Sequence, residues 1–547
     1  MNHPSKPRPS LEGEHFQVIV VGGGINGVAI ARASARAGKR TLLLEEHDFG
    51  AGTTSRSTRI IHGGLRYLEH GELGLVRESL RARRDLLREK PNLVHPIQFL
   101  LALPGTSRRS AMAIRLGLWL YHRMGGGQRG VSLSEFEKKR FEQWLDKGEK
   151  WSIFSFEDAQ CEFPERLVAA WLVEAMQAGA VVRNHARVLA VNVSNGRTRG
   201  VLLRDQLTGR EDRVEATWVV NATGPWADRL CQYSSIRTKH PMVGGVRGSH
   251  IVVPSFPGAP ASAVYTEATD GRPFFVLPWN DQILVGTTEV EDSGDPGKVT
   301  PSSEEIEYLL RSLSKMFPRA GIKADQVRYA FAGVRPLPFA PGKDPNAVSR
   351  HHFLREHSGD GAARLISVIG GKLTTAAELA RQCVAKMGFA SSAGKSVVAM
   401  AGDSVDPVLD QFVVEIAQAG SVSESSARSI VEWHGPRAID IARMALSSAE
   451  LRAPICPHSE HIVAEAMAAI TQECAVSLGD VLLRRVPVAW GPCWSASCSR
   501  EAAMRIGAAM QWSEAQIAAE LEGFETERAA MLRKPTRAEI SLDAAAD

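Results

Sequence analysis

The sequence predicts an α/β protein that ends in a separate helical region. Three observations lead there: a strand–glycine turn–helix–strand unit near the start, a middle stretch of short alternating strands, and an alanine-rich helical pattern beyond about residue 400. The 547 residues allow two to four domains at roughly 100–200 residues each.

Residues 17–21 (Gln-Val-Ile-Val-Val) read as a buried parallel strand. A glycine turn follows, then an alanine-rich helix to about Ala37, with Gly38 where a helix C-terminal glycine is expected. Thr41–Leu44 is the second strand of this Rossmann-type βαβ opening. In the turn, Gly22 permits the tight bend, Gly24 lets the backbone approach a pyrophosphate, and Gly27 lets helix pack on strand. Gly23 and Asn26 complete the turn, whose helix N-terminus offers unpaired N–H groups to phosphates. Glu45, 18 residues beyond Gly27, ends the second strand, where a carboxylate can accept both ribose hydroxyls.

Farther along, residues 71–89 form a helix with the apolar stripe Leu73, Val76, Leu80 and Leu87, and with Arg77, Arg81, Arg84 and Arg88 on one face. A solvated basic face is the plain reading and an anionic membrane surface the other. Residues 107–124 are apolar around most of their circumference but too short to span a bilayer. Periodicity leaves a core helix and an interfacial anchor, with Trp119 and Tyr121 at headgroup level, equally open. Residues 215–221 are a strand entering the turn Ala222-Thr223-Gly224. Ser249–Val253, Phe274–Leu277 and Gln282–Val285 suggest an antiparallel sheet. Thr300 and Pro301 read as N-cap and first residue of a helix to about 316, with the stripe Ile306, Leu309, Leu313 and Phe317. Residues 365–369 are a buried strand, and Ser513 with Gln516 is a capping box before a helix over 514–532.

Composition is that of an ordinary globular chain, and a net charge of +4 on this length does not argue for a nucleic-acid partner. Seven cysteines without a CxxC pair argue against a disulfide framework or a structural zinc site, so no metal is expected. Neither a signal peptide nor a transmembrane helix is expected.

The glycine turn alone does not choose between NAD and FAD. FAD is favoured by the second turn at 222–224 and by Gly370-Gly371-Lys372-Leu373-Thr374-Thr375, which sets another helix N-terminus after a strand. A helix N-terminus and a lysine stabilise the charge of a reduced flavin. Thr53, Thr54, Ser55, His62, Gly63 and Gly64 follow the second strand and are candidates to line the cofactor, with helix capping as the alternative for the hydroxyls. Arg66 and Arg335 stand alone among glycines and apolar residues, which suits bidentate binding of phosphate or carboxylate.

The stretches VIVVGGGINGVAIA, RIIHGGLRYLEHGELGLVRESL, NATGPWAD, GSHIVVP, LVGTTEVE, FAGVRPL and GGKLTTAAELA occur in one order over roughly residues 17–390. Through them the chain resembles the FAD-dependent glycerol-3-phosphate dehydrogenases; IHGGLRYLE and GVRPL are the most specific. The resemblance implies a FAD domain interleaved with an antiparallel-sheet substrate domain, followed by a helical cap. The boundaries drawn are a mobile tail at 1–15; the oxidoreductase unit at 16–399; the cap at 400–534; and a mobile tail at 535–547. Within 16–399 the FAD core takes 16–100, 150–235 and 330–399, the substrate part 236–329, and 101–149 a membrane-facing segment. It further implies oxidation of sn-glycerol 3-phosphate to dihydroxyacetone phosphate, electrons passing to a membrane quinone, and a cytoplasmic protein held peripherally on the membrane through 107–124. A homodimer is left open.

With substrate in place, Arg66 and Arg335 would hold the phosphate, His62 or His250 would take the hydroxyl proton, and Lys372 would stabilise the reduced flavin. Three positions depart from the family's usual pattern: Ala376-Ala377 replace an aromatic and an arginine, Phe163-Pro164-Glu165-Arg166-Leu167 replaces an Asp-Asp-Ala-Arg-Leu-like stretch, and Glu289 replaces the Asp of GTTD. The rival readings are an oxidase using oxygen, a relative acting on another small substrate, and a catalytically silent membrane flavoprotein.

Overall fold

The computed structural model describes residues 8–534 apart from 70, 108, 126–134, 269, 343–347 and 390–404. The glycine turn sits where it was expected, between β1 (His15–Val21) and α1 (Ile25–Arg36), with β2 (Thr41–Leu44) next. β1 is central: it pairs in parallel with β2 on one side and with strand Glu211–Asn221 on the other. Strand Val181–Arg183 extends the sheet beyond β2, and Ala362–Ile369 pairs in parallel with Glu211–Asn221. All the residues of β2 and nearly all of β1 are buried, as befits strands covered on both faces. The small side chains of α1 let it pack against helices Pro164–Gln177 and Ala376–Lys386 in one core.

The second sheet has nine strands. Val243–Pro254 lies between Gln282–Gly286 and Tyr329–Pro338, antiparallel to both, and Pro273–Trp279 follows Gln282–Gly286. The expected antiparallel sheet is therefore present, but it takes more of the chain than 236–329. His95–Pro104, Trp151–Gln160 and Tyr329–Pro338 all pair into it. Backbone hydrogen bonding, which local periodicity does not report, moves these strands out of the FAD core drawn from sequence.

Three local expectations change. Residues 8–14 are docked: the Arg8 guanidinium donates to the Asn184 carbonyl at 2.7 Å, the Leu11 amide donates to Asp212 at 2.9 Å, and Leu11 is buried. Residues 1–7 and 535–547 lie outside the described residues. The helix after Pro301 spans Ser303–Met316 and is capped by Ser302, whose hydroxyl accepts the Glu305 amide while Glu305 accepts the Ser302 amide. This reciprocal box satisfies two end donors, one more than the Thr300 cap would. Helix Leu73–Glu89 buries Leu75, Val76, Ser79, Leu80, Ala82 and Leu86 and leaves Leu73 exposed. Arg77, Arg81, Arg84 and Arg88 form its solvent face.

The helical domain begins with Val405–Gly420 and ends with Glu514–Met531, capped by Ser513 and Gln516 as expected. It meets the FAD domain through buried ion pairs. Both Asp48 oxygens face Arg485 at 2.7 and 2.8 Å, and Arg484 Nε reaches Asp48 at 2.5 Å. Arg484 also pairs with Asp480 at 2.9 Å and with Glu527 at 2.5 Å. Arg166 donates to Glu473 at 2.7 Å. The unusual Phe163–Leu167 stretch is thus structural, since Glu165 is the fully buried partner of Arg59 at 3.0 Å. Among the described residues no helix is long and apolar enough to cross a membrane.

Removing one side of a buried pair leaves its partner's charge uncompensated, at about 3–5 kcal/mol. Asp48→Ala is therefore expected to lower the thermal unfolding midpoint clearly and to raise protease sensitivity at the junction. Thermal melts followed by circular dichroism check this, and an unchanged midpoint would refute it.

Candidate active site

Both sheets and the helical domain wall a single cavity of about 1000 Å³. At one end stand Glu45, His47, Arg187 and Tyr233; the glycine turn lies along it; Tyr67, His62, His250, Arg335, Arg350 and Lys372 also line it. Asp480, Arg484 and Glu527 contribute from the helical domain.

The glycine roles read from spacing are visible as distances. A Cβ on Gly27 would lie 1.8 Å from the Gly22 carbonyl oxygen, and one on Gly22 would lie 2.5 Å from that of Ala222. Gly22 also has φ +106°, in the region that favours glycine. No side chain caps α1 at Gly24, so the helix N-terminus opens on the cavity with the dipole that attracts phosphate. The Glu45 carboxylate accepts the Gly23 amide at 2.6 Å and the His47 amide at 2.9 Å, which fixes it at the end of β2. Burial raises its pKa above the ordinary carboxylate value.

Asn26 ties the first turn to the distant one. Its Nδ2 lies 3.5 Å from the Gly370 carbonyl, and a Cβ on Gly371 would come within 2.5 Å of that nitrogen. Lys372, Leu373 and Thr374 follow along the same wall, and Thr374 accepts the His62 amide at 3.2 Å. Thr54 accepts the Ile25 amide at 3.1 Å and Thr53 donates to the Val334 carbonyl at 2.8 Å, so both serve as struts as well as lining. Ala222, Thr223 and Gly224 line the opposite lip.

Six residues chosen from sequence do not line the cavity: Gly23, Gly27, Ser55, Gly63, Gly64 and Arg66. Gly23 and Gly27 are needed for packing, since a Cβ on Gly23 would strike Phe49 at 2.4 Å. Ser55 is buried, donating to the Gly50 carbonyl at 2.6 Å. A Cβ on Gly63 would strike Leu80 and Tyr121, and one on Gly64 would strike the Tyr67 ring. Arg66 lies in the 3-10 turn Leu65–Leu68, where successive side chains point about 120° apart. Tyr67 lines the cavity; Arg66 is not among its lining residues, though its charge acts on the Tyr67 hydroxyl.

Sequence reasoning also missed residues. Arg350 lines the cavity beside Arg335 and pairs with Glu289 at 2.8 Å. It has no glycine motif around it, and its neighbours in space come from other segments. Arg335 is held by the Thr287 hydroxyl at 2.9 Å and lies over Gly248, where a Cβ would be 2.5 Å from its guanidinium. Glycine in GSHIVVP and threonine in GTTE are thus the bed of this arginine.

Burial dominates the electrostatics. It lowers Arg335 to about 10, with help from the Arg350 charge, and lowers Lys372 to about 8. The Lys372 ammonium donates to Ser79 at 2.9 Å and sits 4.5 Å from the Tyr67 ring centroid. His62 falls to about 3 through burial and the Lys372 charge, and His250 to about 3 through burial and the Arg335 charge. Both rings are therefore neutral at pH 7. His250 Nε2 is 2.9 Å from the Thr58 hydroxyl, its ring stacks on Phe331, and its Nδ1 is buried without a partner. An end of a cavity with two desolvated cations, Arg335 and Lys372, and the half-buried Arg350 beside them suits a dianion.

Residues 17–377 match the family described as FAD dependent oxidoreductase, and residues 364–517 match the C-terminal domain of alpha-glycerophosphate oxidase. A glycerol-3-phosphate dehydrogenase from Synechocystis is 36% identical over 500 residues, 88% of this chain and 90% of its own length. The chain belongs to the FAD-dependent glycerol-3-phosphate dehydrogenase family. A D-erythritol 1-phosphate dehydrogenase from Brucella abortus is also 36% identical, over 68% of this chain and 74% of its own. The structure of the Bacillus halodurans glycerol-3-phosphate dehydrogenase complexed with FAD superposes with a TM-score of 0.75 at 23% identity, covering 95% of this chain and 96% of that one. At that identity the likeness is one of fold. FAD is the cofactor of this family, and the close-packed glycine turn and open helix end of this chain fit its pyrophosphate. The family departure at Ala376-Ala377 lies off the cavity: Ala376 is in the core and Ala377 is exposed.

Gly27→Ala places a methyl group inside the van der Waals radius of the Gly22 carbonyl oxygen. The variant is expected to purify with its bound flavin largely lost, measured as the flavin-to-protein absorbance ratio. A full flavin complement would refute the packing role.

Proposed function

We propose that this chain oxidises sn-glycerol 3-phosphate to dihydroxyacetone phosphate with FAD and passes the electrons to a membrane quinone. The observation that carries the reading is the convergence of Arg335, Arg350 and Lys372 on one end of the cavity, beside Tyr67 and two neutral histidines. The relatives named above supply the substrate class.

Gly22, Gly24 and the N-terminus of α1 would hold the pyrophosphate, Glu45 the ribose, and Gly370–Thr374 the flavin end. FAD bound there would supply the acceptor for the hydride lost from C2 of the substrate. Arg335 and Arg350 hold the phosphate, and fixing that remote group orients the reacting C–H bond. Tyr67, whose hydroxyl burial raises to about 12, stays a neutral donor beside them. His62 or His250, which both line the cavity, takes the hydroxyl proton. The phosphate offsets the Arg335 charge that helps suppress the basicity of the His250 ring. Lys372 places a positive charge near the flavin end. The exposed face Met112, Leu116 and Trp119 on helix Ala111–Met124, at 80%, 65% and 60% exposure, supports peripheral membrane contact.

A second reading rests on the erythritol-phosphate relative of equal identity: another small polyol phosphate as substrate. Anaerobic titration of the purified flavoprotein decides between them. Glycerol 3-phosphate is expected to bleach the flavin at lower concentration than D-erythritol 1-phosphate, with reoxidation faster by a quinone analogue than by oxygen. No bleaching by either overturns the proposal.

Losing a charge-assisted hydrogen bond costs about 1.5–3 kcal/mol, so Arg335→Ala and Arg350→Ala should each lower kcat/KM about 10- to 150-fold, mainly through KM. Steady-state kinetics on flavin-loaded variants measure this. Lys372 loses its proton as pH rises through about 8. The kcat/KM profile, which reports the free enzyme, should therefore fall above about pH 8, while the kcat profile falls later because bound phosphate favours the ammonium. Lys372→Met should abolish that basic limb, and its persistence would exclude Lys372 as the cause. Leu116→Ser with Trp119→Ser should cut partitioning onto anionic lipid vesicles at least about tenfold, with flavin content unchanged in the sedimented protein.

A further inference from the structure

The helical domain brings together side chains that no part of the oxidation uses. Cys456 and His458 lie on the loop between helices Ala449–Arg452 and Val463–Gln472, a loop closed by the bridge Pro454↔Ile462. Cys498 lies in the first turn of helix Ala496–Ala509. The ligand atoms of these three residues lie within 4.8 Å of one another. Cys493 stands nearby and is exposed, its carbonyl oxygen 3.7 Å from Cys498 Sγ.

We propose that Cys456, His458 and Cys498 form a structural zinc site to which the exposed Cys493 thiol turns in as the fourth ligand. The decisive distance is Cys498 Sγ to His458 Nδ1, 3.5 Å. A tetrahedral zinc ion with Zn–S of about 2.3 Å and Zn–N of about 2.0–2.1 Å sets sulfur and nitrogen about 3.5 Å apart. That separation, which a thiol–imidazole hydrogen bond also takes, is the natural edge of a coordination tetrahedron. Three sulfurs and an imidazole select zinc among the common cellular divalent ions. With four protein ligands the site is closed, and none of them lines the flavin cavity, so the ion is structural and not catalytic. It fixes the loop 453–462 to the segment that follows Trp490. That ring packs 4.7 Å from the buried Arg59 guanidinium, so the ion would hold the helical domain's contact with the rest of the fold. The expectation of no zinc site rested on the missing CxxC pair. Here the ligands come as Cys-x-His and Cys-x4-Cys, and the pairs meet only in three dimensions.

The test uses the full chain with its flavin, expressed in zinc-supplemented medium and purified under reducing conditions without metal-affinity resin. Elemental analysis should find close to one zinc per chain. Cys456→Ser and Cys498→Ser should each reduce it at least tenfold, with flavin-to-protein ratio as the check on folding. On the unaltered protein, titration with a mercurial should release zinc to a chromophoric chelator in step with thiol modification, whether or not the variants fold. Zinc-free protein that takes up none from micromolar zinc after reduction would overturn the proposal. So would zinc retained in both variants, or a Cys456–Cys498 disulfide in the freshly purified protein.

Discussion

One close approach governs the cofactor end of this molecule: α1 lies against β1 so tightly that the Gly27 position has no room for a single carbon beyond its backbone. That contact fixes the direction of α1, and with it where the uncapped helix end points. It also sets the position of Asn26, which meets the Gly370-Gly371 turn from the far end of the chain. Helix Ala376–Lys386 then packs on α1 in the same core. Two turns separated by most of the sequence become two walls of one cavity because small residues let their helices touch.

The second constraint is electrostatic. Arg335 and Lys372 are held at an end of the cavity where each loses hydration, with the half-buried Arg350 beside them. Desolvation of this kind costs several kcal/mol per ion unless polar partners offset it. Thr287, Glu289 and Ser79 are among the partners that offset it, and Glu78 and Glu72 act on Lys372 as well. Thr288, the neighbour of Thr287, is itself fixed by Glu305, the residue that caps helix Ser303–Met316. A helix cap thus reaches the anion site through one hydroxyl. A phosphate group suits an end of the cavity that carries these cations.

The helical domain is more than a neighbour. Asp48, three residues beyond Glu45, anchors Arg484 and Arg485, and Arg484 with Asp480 and Glu527 lines the same cavity. Cap and cofactor site therefore share ion pairs. The family departures sort on this basis. Glu165 and Arg166 belong to the buried pairs, Ala376 to the core, and Glu289 alone touches the anion site, through Arg350.

The sequence by itself determined the βαβ opening, the glycine roles, the antiparallel middle sheet, the helical end and a part of the cavity lining. It could do so because glycine spacing and strand and helix periodicity are local physical requirements. Arg335, His62, His250 and Lys372 were legible for the same reason, each lying in a short motif. Only the tertiary structure decided that Tyr67, next to Arg66 on a short turn, lines the cavity. It alone placed Arg350 beside Arg335, moved strands His95–Pro104 and Trp151–Gln160 into the second sheet, and brought Cys456, His458 and Cys498 together. Each of these depends on contacts between segments far apart in the chain, and no pattern within either segment records such a contact.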